Sequence, residues 1–268
     1  MNFNMIKFGG SVITSETCEG FFNEKNTYRL AKELLPHSRG CTLIHGTGLI
    51  GKPPAIRYGY LNDGIIPKSR SLLALKIRNE LRQLNQRVVK TLLSASIPVI
   101  PFDNVHYFDE SMSGLQYEGL RRSLIQTIEN GFVPIFYGDL MPRSDGSFRV
   151  FSSDSIALIL AKTLKPDKAI FLSDVKGVYS NQSYRSDDCK KKILTTLNAG
   201  NFNRIHKYPK DDKDVSGGML KKATCALEIS LYCKNCFIAS GLNSGVLSKL
   251  LGGESVISTR VTRPREPR

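Results

Sequence analysis

Four segments of this chain have residue types suited to holding a phosphate, and three of them are rich in glycine. They are KFGGSVIT (7–14), HGTGLIGK (45–52), YGDLMP (137–142) and SDVKGVYS (173–180). Glycine lacks a Cβ, so its backbone N–H can approach an anion closely, and a nearby lysine adds positive charge. One Gly-Gly turn is usually only a turn. Several such segments at one edge of a sheet would predict an anion-binding site.

The segment HGTGLIGKPP (45–54) resembles two known nucleotide-binding loops without matching either. GTGLIGK (46–52) fits the GxxxxGK pattern, but Pro53 replaces the hydroxyl that would ligate magnesium, which excludes a P-loop NTPase. GTGLIG (46–51) fits GxGxxG, but it follows the second predicted strand and no acidic residue ends a strand about 20 residues later. With three glycines and two prolines, the segment is predicted to be too irregular for a helix.

Short apolar runs alternate with longer amphipathic ones, which predicts strands separated by helices. The predicted strands are 4–9, 40–46, 97–102, 133–139, 168–174 and 235–240, and the predicted helices are 27–37, 74–96, 120–131, 152–165 and 217–230. Helical connections imply parallel pairing with right-handed crossovers, and therefore a three-layer αβα sandwich with a mainly parallel central sheet. Ligands collect at the carboxyl ends of the strands in such sheets, which is where the four segments lie.

The composition narrows the class of protein. A chain of 268 residues with 41% hydrophobic content can form one large domain or two modest ones. The formal net charge of +14 favours anionic ligands. No motif of a nucleic-acid-binding domain accompanies it, so nucleic acid is not expected as a partner. No apolar run reaches the length of a membrane span, and the first residues lack the pattern of a signal peptide, so we expect a cytoplasmic protein without membrane association.

Cysteine usage is consistent with reduced thiols. The six cysteines, which are Cys18, Cys41, Cys189, Cys225, Cys233 and Cys236, form no dense framework. Cys233 and Cys236 have CxxC spacing, which raises a metal or redox interpretation. A zinc site would need two more ligands, and none of the four histidines is placed to supply them. We expect two small, partly buried residues near a helix-to-strand junction.

Five segments resemble the amino acid kinase superfamily in the same order. They are IKFGGSVIT (6–14), IHGTGLIGKPPAIRYG (44–59), PIFYGDL (134–140), FSSDSIALILAKTLKPDKAIFLSDVKGVYS (151–180) and DVSGGMLKKA (214–223). The chain is most similar to the isopentenyl phosphate kinases, with the fosfomycin kinases as relatives. This resemblance implies a single amino acid kinase domain over 1–268, with an acceptor-binding half at about 1–145 and a nucleotide-binding half at about 146–260. We expect 181–213 to be a loop and 261–268 to be a disordered tail.

The resemblance implies the residues that handle ATP. Lys7 matches the lysine that bridges the transferring phosphoryl group, and Asp154 is expected to orient Lys7 or, alternatively, only to cap a helix. Lys221 and Lys222 match the family's phosphate-binding lysine region, and the sequence leaves open which one faces the phosphates. The other nucleotide-binding residues implied are Gly9, Gly10, Ser11, Ser173, Asp174, Gly177, Val178, Tyr179 and Gly217.

The resemblance places the acceptor beside Gly46, Thr47, Gly48, Gly51 and Gly138. His45 matches the family's first histidine and is expected to be structural. Two residues depart from the isopentenyl phosphate kinases: Lys52 stands where they carry a second histidine, and Glu16 stands where they place a lysine. Lysine still supplies a positive charge, but it cannot act as an imidazole. Both residues are kept as candidates for the catalytic set, and Lys25 or Lys52 could compensate for Glu16.

The implied activity is an ATP-dependent kinase that uses Mg2+ and transfers the γ-phosphoryl group to a small phosphate or phosphonate acceptor. Isopentenyl phosphate, which would give the diphosphate, is the first candidate. The alternatives are another acceptor, such as a fosfomycin-like phosphonate, a hydroxylated metabolite or a carboxylate, and a non-catalytic nucleotide-binding sensor. The family tends to pair its subunits, so a homodimer is expected.

Overall fold

The structure is a computed structural model that describes residues 3–57, 64–104, 108, 114–180, 192–205 and 218–263. Its centre is an eight-stranded sheet in the order β4-β5-β2-β1-β8-β10-β11-β9. These strands are β1 (Asn4–Phe8), β2 (Cys41–His45), β4 (Val99–Pro101), β5 (Val133–Tyr137), β8 (Lys168–Ser173), β9 (Thr196–Leu197), β10 (Asn235–Ser240) and β11 (Ser258–Val261). All neighbours pair in parallel except β10 and β11, which confirms the predicted fold class.

Helices cover both faces of this sheet. They are α1 (Gly10–Ile13), α2 (Glu24–Leu34), α3 (Gly48–Arg57), α4 (Ser71–Ser94), α5 (Gly114–Glu129), α6 (Ser153–Leu164), α7 (Gly218–Ile229) and α8 (Val246–Gly252). One apolar core lies between the sheet and α5, α6 and α7, and contains Leu124, Leu160 and Ala226. The other core lies between the opposite face and α2, α4 and α8. No helix among the described residues is long and apolar enough to cross a bilayer.

Alternation along β1 decides which core each side chain enters. Met5 belongs to the core under α5, α6 and α7, whereas Ile6 and Phe8 belong to the opposite core. Because successive side chains of a strand point to opposite faces, Lys7 lies on the same face as Met5. Lys7 is the penultimate residue of β1, and its side chain therefore faces the layer of α6 and α7.

A small three-stranded sheet lies beside the central one and packs on α4. Its strands are β3 (Ile65–Ile66), β6 (Asp139–Pro142) and β7 (Phe148–Phe151), in the antiparallel order β3-β7-β6. It packs on α4 through a third apolar cluster that includes Ile66, Ile77, Leu81 and Phe148. The single strand predicted over 133–139 is two strands, β5 and β6. The hairpin of β6 with β7 was not predicted from the sequence.

The prediction that 45–54 is too irregular for a helix is wrong, because α3 begins at Gly48 and includes both prolines. Gly48 has a positive φ of 49°, and the N–H groups of Ile50 and Gly51 donate to Thr47 O to open the helix. Ile50 packs into two of the apolar clusters. Tertiary contacts therefore override the poor helix propensity of this sequence.

Two further expectations are corrected in part. Within the predicted loop 181–213, residues 192–205 are described and form β9 and a 3-10 turn at Ala199–Arg204. Within the predicted tail 261–268, Val261 belongs to β11, and Arg263 donates to Ser230 O at 2.9 Å and to Leu231 O. Strand pairing and these backbone bonds order the chain through residue 263. Residues 264–268 lie outside the described part of the chain.

Candidate active site

Lys7 and Asp154 form an ion pair at the carboxyl edge of the central sheet. The Lys7 ammonium donates to Asp154 Oδ1, although the two residues are 147 positions apart in sequence. The Lys7 side chain is buried, whereas that of Asp154 is 31% exposed. Ile44 and Phe171 flank Lys7 on the neighbouring strands, and the ring centroid of Phe171 lies 5.7 Å from the Lys7 Nζ. A buried lysine between apolar residues must keep a charged partner, which fixes its ammonium at this edge.

Asp154 occupies the first turn of α6, but it does not cap the helix. That role belongs to Ser152, whose Oγ accepts from Ser155 N at 3.0 Å. Burial would raise the pKa of Asp154, but the charges of Lys7, Lys222 and Lys221 hold the pKa of this carboxyl below its usual value. The carboxylate is therefore ionised. It contacts the Lys7 ammonium directly, while Lys222 and Lys221 act on it through their charges.

The two lysines of α7 differ in direction. Lys222 is half-buried, and its ammonium donates to Ser173 Oγ at 2.6 Å, while Ser173 donates in turn to Asp174 Oδ1 at 3.0 Å. Lys221 is exposed. Lys222 therefore faces the end of β8, next to the Lys7–Asp154 pair. The sequence could not make this choice, because it depends on the rotation of α7 over the sheet.

Glycines follow four of five adjacent strands and continue their hydrogen-bond ladders. Gly9 N donates to Leu172 O, Gly46 N to Phe8 O and Gly138 N to His45 O, at 3.0, 2.9 and 3.2 Å. Gly241 N donates to Ser173 O at 2.7 Å, and Asp174 is the residue after β8. The glycine-rich segments thus lie along one edge, as the parallel sheet predicted. Gly241 was not among the predicted residues.

The loops after β1 and β2 touch through their backbones. A Cβ on Gly46 would lie 2.5 Å from Gly10 N, and a Cβ on Gly10 would lie 2.5 Å from Gly48 Cα. Only glycine allows this approach at these positions. Thr14 joins the same contact, because its Oγ1 donates to Gly10 O at 2.7 Å and accepts from Leu49 N at 3.1 Å. The two loops are therefore in direct contact at the end of β1. We call these touching loops, residues 9–14 and 46–51, the glycine fringe.

Thr47 connects this fringe to the start of α6. A Cβ on Gly138 would lie 3.1 Å from Thr47 Cγ2 and 3.3 Å from Ser153 N, so these three residues are neighbours. Gly51 is pressed against the Thr47 side chain. The residues expected at the acceptor side therefore lie beside the helix turn that carries Asp154.

The loop after β8 is held by a residue that the sequence did not reveal. Thr259 Oγ1 accepts from Val178 N at 2.8 Å and donates to Leu194 O at 2.7 Å. A Cβ on Gly177 would lie 2.7 Å from the same hydroxyl. Val178 is fully buried in the core, and Tyr179 is half-buried and bridges Ile193. Of the loop residues expected to bind the nucleotide, Asp174 and Tyr179 keep exposed surface, whereas Ser173, Gly177 and Val178 are buried.

His45 is fully buried at the end of β2. Its Nδ1 lies 2.9 Å from Gly46 O, and its Nε2 lies 3.1 Å from Asn85 Oδ1 on α4. A carbonyl oxygen can only accept, so Nδ1 carries a proton. Burial lowers the pKa of His45, which keeps the ring neutral. The ring stacks at 5.7 Å from Tyr137 and ties β2 to α4 and β5, in agreement with a structural role.

Three of the expected residues, which are Ser11, Glu16 and Lys25, are exposed rather than packed into the Lys7 cluster. Glu16 lies in the short loop closed by the pairing of Thr14 with Phe22. The side chain of Lys52 lies outside the described part of the chain, as does the whole of Gly217. Lys25 is exposed on α2.

Three arginines of α4 contact other segments of the chain. Arg78 contacts Asp139 and Asp103, each at 3.2 Å, and Arg82 contacts Asp103 at 2.6 Å. Burial raises the pKa of Asp139, and Arg78 opposes that effect. Arg87 donates to Gly20 O at 3.3 Å. Arg78 is largely buried by these partners.

The described residues contain no group of three or more histidine, cysteine or carboxylate side chains that could hold a metal ion. Asp154 is already engaged by lysines, and Asp174 is exposed. The carboxylates in the described part of the chain therefore do not form a magnesium site with three or more protein ligands. The glycine fringe, by contrast, offers backbone N–H groups and lysines of the kind that phosphate oxygens need.

A sequence model described as "Amino acid kinase family" matches residues 2–240, which include Lys7, Asp154 and Lys222. The chain is 28% identical over 264 residues to an isopentenyl phosphate kinase of Thermoplasma acidophilum, covering 95% of this chain and 98% of the relative. An isopentenyl phosphate kinase of Methanothermobacter thermautotrophicus is 28% identical over 268 residues, covering 96% and 98%. A solved structure described as "X-ray structures of isopentenyl phosphate kinase" superposes with a TM-score of 0.77 at 26% identity, covering 97% of this chain and 100% of that one.

Proposed function

Because the chain belongs to the amino acid kinase family and is therefore a phosphotransferase, we propose that it transfers the γ-phosphoryl group of ATP to a small acceptor bearing a phosphate or phosphonate. The observation that carries this proposal is the Lys7–Asp154 pair beneath a glycine fringe, with Lys222 beside it. Such a reaction brings two anions together, so it depends on positioning and charge neutralisation.

Lys7 is the proposed catalytic cation. Its ammonium is fixed by Asp154 at the end of the central strand, where it can contact the phosphoryl group throughout transfer. Asp154 acts through Lys7 and is a positioning residue. Lys222 supplies a second positive charge to ATP phosphates, and the N–H groups of Gly10 and Ser11 supply hydrogen bonds. Gly9 holds this loop in place, because its N–H is already bonded to Leu172 O.

The acceptor is proposed to lie beside Thr47, between the loop after β2 and the start of α6. The N–H groups of Thr47 and Gly48 are suited to its own phosphate or phosphonate, and Lys52 would add a positive charge. Gly46 fixes the start of this loop through its bond to Phe8 O. The contacts of Thr47 with Gly138 and with the first turn of α6 support this location, because they bring the acceptor loop next to Asp154.

Isopentenyl phosphate is the first candidate acceptor, and the relatives of that name support it. A second acceptor class, fosfomycin-like phosphonates, is favoured by one observation. Glu16 is exposed in the loop after β1, at a position where the resemblance expects a lysine. A carboxylate there changes the local charge by two units, which would favour an acceptor with a cationic or neutral part.

ATP and Mg2+ are the proposed cofactors. The described carboxylates do not form a metal site, so Mg2+ is proposed to arrive on the triphosphate oxygens and to neutralise their charge. Ser173, Asp174, Gly177, Val178, Tyr179 and Gly217 form the proposed nucleotide side. We further propose a cytoplasmic homodimer, which light scattering of the purified chain would test.

A panel of acceptors with coupled detection of ADP tests the function. Isopentenyl phosphate, fosfomycin, small phosphonates, glycerol and glutamate would each be supplied with ATP and Mg2+. ADP release and a phosphorylated product with a phosphate or phosphonate acceptor would support the proposal, and the ratio of kcat/KM values would name the acceptor. ADP release only with glycerol or glutamate would contradict the acceptor class, and ATP binding without turnover on any acceptor would favour a sensor.

A further inference from the structure

A cavity lies at the edge of the sheet opposite to that of Lys7. It has a volume of about 620 Å³ and opens where β8 and β10 begin and where β11 ends. Its wall includes Lys165, Lys234, Arg260 and Arg263, together with Cys233. The cavity and the proposed kinase site lie at opposite ends of the parallel strands. The proposed kinase reaction therefore does not use the cavity.

The cavity is electropositive because most of its cations lack an acidic partner. Lys234 pairs with Asp167. Arg260 donates to the Asn235 amide at 2.9 Å, and Arg263 donates to backbone carbonyls, so both arginines bond neutral groups among the described residues. Their positive charges therefore remain available to attract a small anion into the cavity.

The CxxC pair lies at the wall of this cavity. Cys233 lines it and is 7% exposed, whereas Cys236 lies behind it in β10 and is 1% exposed. The two thiols are close enough for each to affect the pKa of the other. The Cys236 thiol donates to Ala226 O, which lies 3.6 Å from its sulfur. The sequence predicted the helix-to-strand junction correctly, but both thiols are more buried than expected, and the cavity was not foreseen.

The two thiols differ in acidity in a way that suits sequential attack. The neighbouring Cys236 thiol lowers the pKa of Cys233, and the nearby Arg263 charge acts in the same direction. Burial raises the pKa of Cys236 well above its usual value. The thiolate is the nucleophile in disulfide exchange, so Cys233 would react first from the cavity side.

We propose that Cys233 and Cys236 are a dithiol modification site, oxidised to an intramolecular disulfide by small anionic disulfides of the glutathione type that enter the basic cavity. The Cys233 thiolate attacks one sulfur of the oxidant, which forms a mixed disulfide and expels one thiolate. Cys236 then loses its proton, attacks the Cys233 sulfur and expels the second thiolate. The protein loses two protons and two electrons, and the oxidant becomes two thiols.

The test is incubation of the reduced full chain with oxidised glutathione, followed by mass spectrometry of the intact chain and its peptides. We expect the loss of two hydrogens and a peptide that links Cys233 to Cys236. Cys236→Ser should stop at a glutathione adduct on Cys233, and Cys233→Ser should give neither product. Cys18→Ser is the matched control and should still form the disulfide. Burial raises the pKa of Cys41 and Cys225 to about 12, so these thiols should not compete.

The role of the cavity charge is tested with two oxidants. Arg263→Gln should slow oxidation by glutathione disulfide about five-fold more than oxidation by the neutral hydroxyethyl disulfide, and Arg263→Lys should restore most of the difference. The neutral oxidant corrects for any change in the reactivity of Cys233. Equal slowing with both oxidants would overturn the role of the cavity. Modification of other cysteines, while Cys233 and Cys236 remain free thiols, would overturn the site itself.

Discussion

At the scale of single residues, the proposed chemistry depends on one lysine whose position is fixed by one carboxylate. Lys7 is buried on the face that β1 turns toward α6, and Asp154 meets it there. Strand alternation decides this direction, so a shift of one residue in β1 would move the ammonium into the opposite core. The pair therefore links the register of the sheet to the proposed transfer of a phosphoryl group.

Lys7→Ala should lower kcat by roughly 10²–10³-fold, as expected when one preorganised donor to the transition state is removed. The chain should still fold, because Asp154 is partly exposed and remains solvated. Turnover by coupled ADP release and the far-UV circular dichroism spectrum would be measured together. Lys249→Ala, an exposed lysine of α8, is the matched control. A folded Lys7→Ala variant with full activity would remove Lys7 from the mechanism.

Asp154 gives a prediction on pH and stability. Its folded pKa is held below the usual value by Lys7, Lys222 and Lys221. The resulting stabilisation is fully present above the unfolded pKa of about 3.9 and is lost as the pH falls through the lower folded value. The unsubstituted chain should therefore have a higher free energy of unfolding than Asp154→Asn. This difference should be larger at pH 6 than in strong acid. Urea titrations at several pH values would measure this, with the exposed Glu16→Gln as a control whose difference stays nearly constant.

At the scale of elements, the site is built by loops that glycine allows to touch. The segments after β1 and β2 approach each other closely enough that neither Gly10 nor Gly46 has room for a Cβ. Hydrogen bonds from Gly9 N and Gly46 N continue the ladders of the neighbouring strands and fix where these loops begin. Backbone N–H groups are thereby held at fixed positions along the edge, which favours anion binding without a large rearrangement.

Gly10→Ala should destabilise the chain by about 1–3 kcal/mol, because the added methyl group must displace the backbone at Gly48. Turnover should fall as well, since the loops move relative to Lys7. Gly119→Ala is a matched control of opposite sign, because Gly119 is exposed in α5 and its Cβ would meet nothing within 4 Å. It should stabilise the helix by about 0.5–1 kcal/mol. Equal effects of both substitutions on unfolding would contradict the loop contact.

Thr259→Val should test the loop after β8. Valine keeps the shape of threonine but leaves Val178 N without its acceptor, which should cost about 1–3 kcal/mol of stability. Because the loop belongs to the proposed nucleotide side, the KM for ATP should rise while kcat changes little. Thr163→Val, which removes a hydroxyl bond within α6, is the control. An unchanged KM for ATP in a destabilised variant would separate this loop from nucleotide binding.

At the scale of the whole molecule, the two edges of the sheet carry different chemistry on a chain of net charge +14. The carboxyl edge holds the Lys7 cluster, and the amino edge holds the basic cavity beside Cys233. A strongly positive surface raises the local concentration of anions and speeds their encounter with the protein. The charge thus serves both proposed sites, although it does not identify either ligand.

Added salt should therefore slow the association of ATP with the protein. We expect kcat/KM for ATP to fall several-fold between about 0.05 and 0.5 M salt, because screening acts over distances of about 10 Å or less at these concentrations. The value of kcat at saturating ATP should change far less, since the ion pair of Lys7 with Asp154 is mostly shielded from solvent. Steady-state kinetics at several salt concentrations would measure both, and a fall in kcat alone would contradict electrostatic attraction of the substrate.

The sequence by itself determined the class of fold and the edge on which the site lies. Periodicity distinguishes strands from helices, and helical crossovers require parallel strands whose carboxyl ends coincide. Lys7, the glycine segments and Asp154 could be named on this basis together with the family resemblance. The helix over Gly48–Arg57 could not, because its stability comes from packing of Ile50 between two cores.

Tertiary structure alone decided which groups meet. The choice of Lys222 over Lys221, the support of Val178 by Thr259 and the capping of α6 by Ser152 depend on helix rotation and on contacts between distant segments. The same holds for Arg78 with Asp139 and for Cys233 at a basic cavity. Periodicity is a local property of the chain, whereas these contacts form only when hydrophobic burial brings remote side chains to one place.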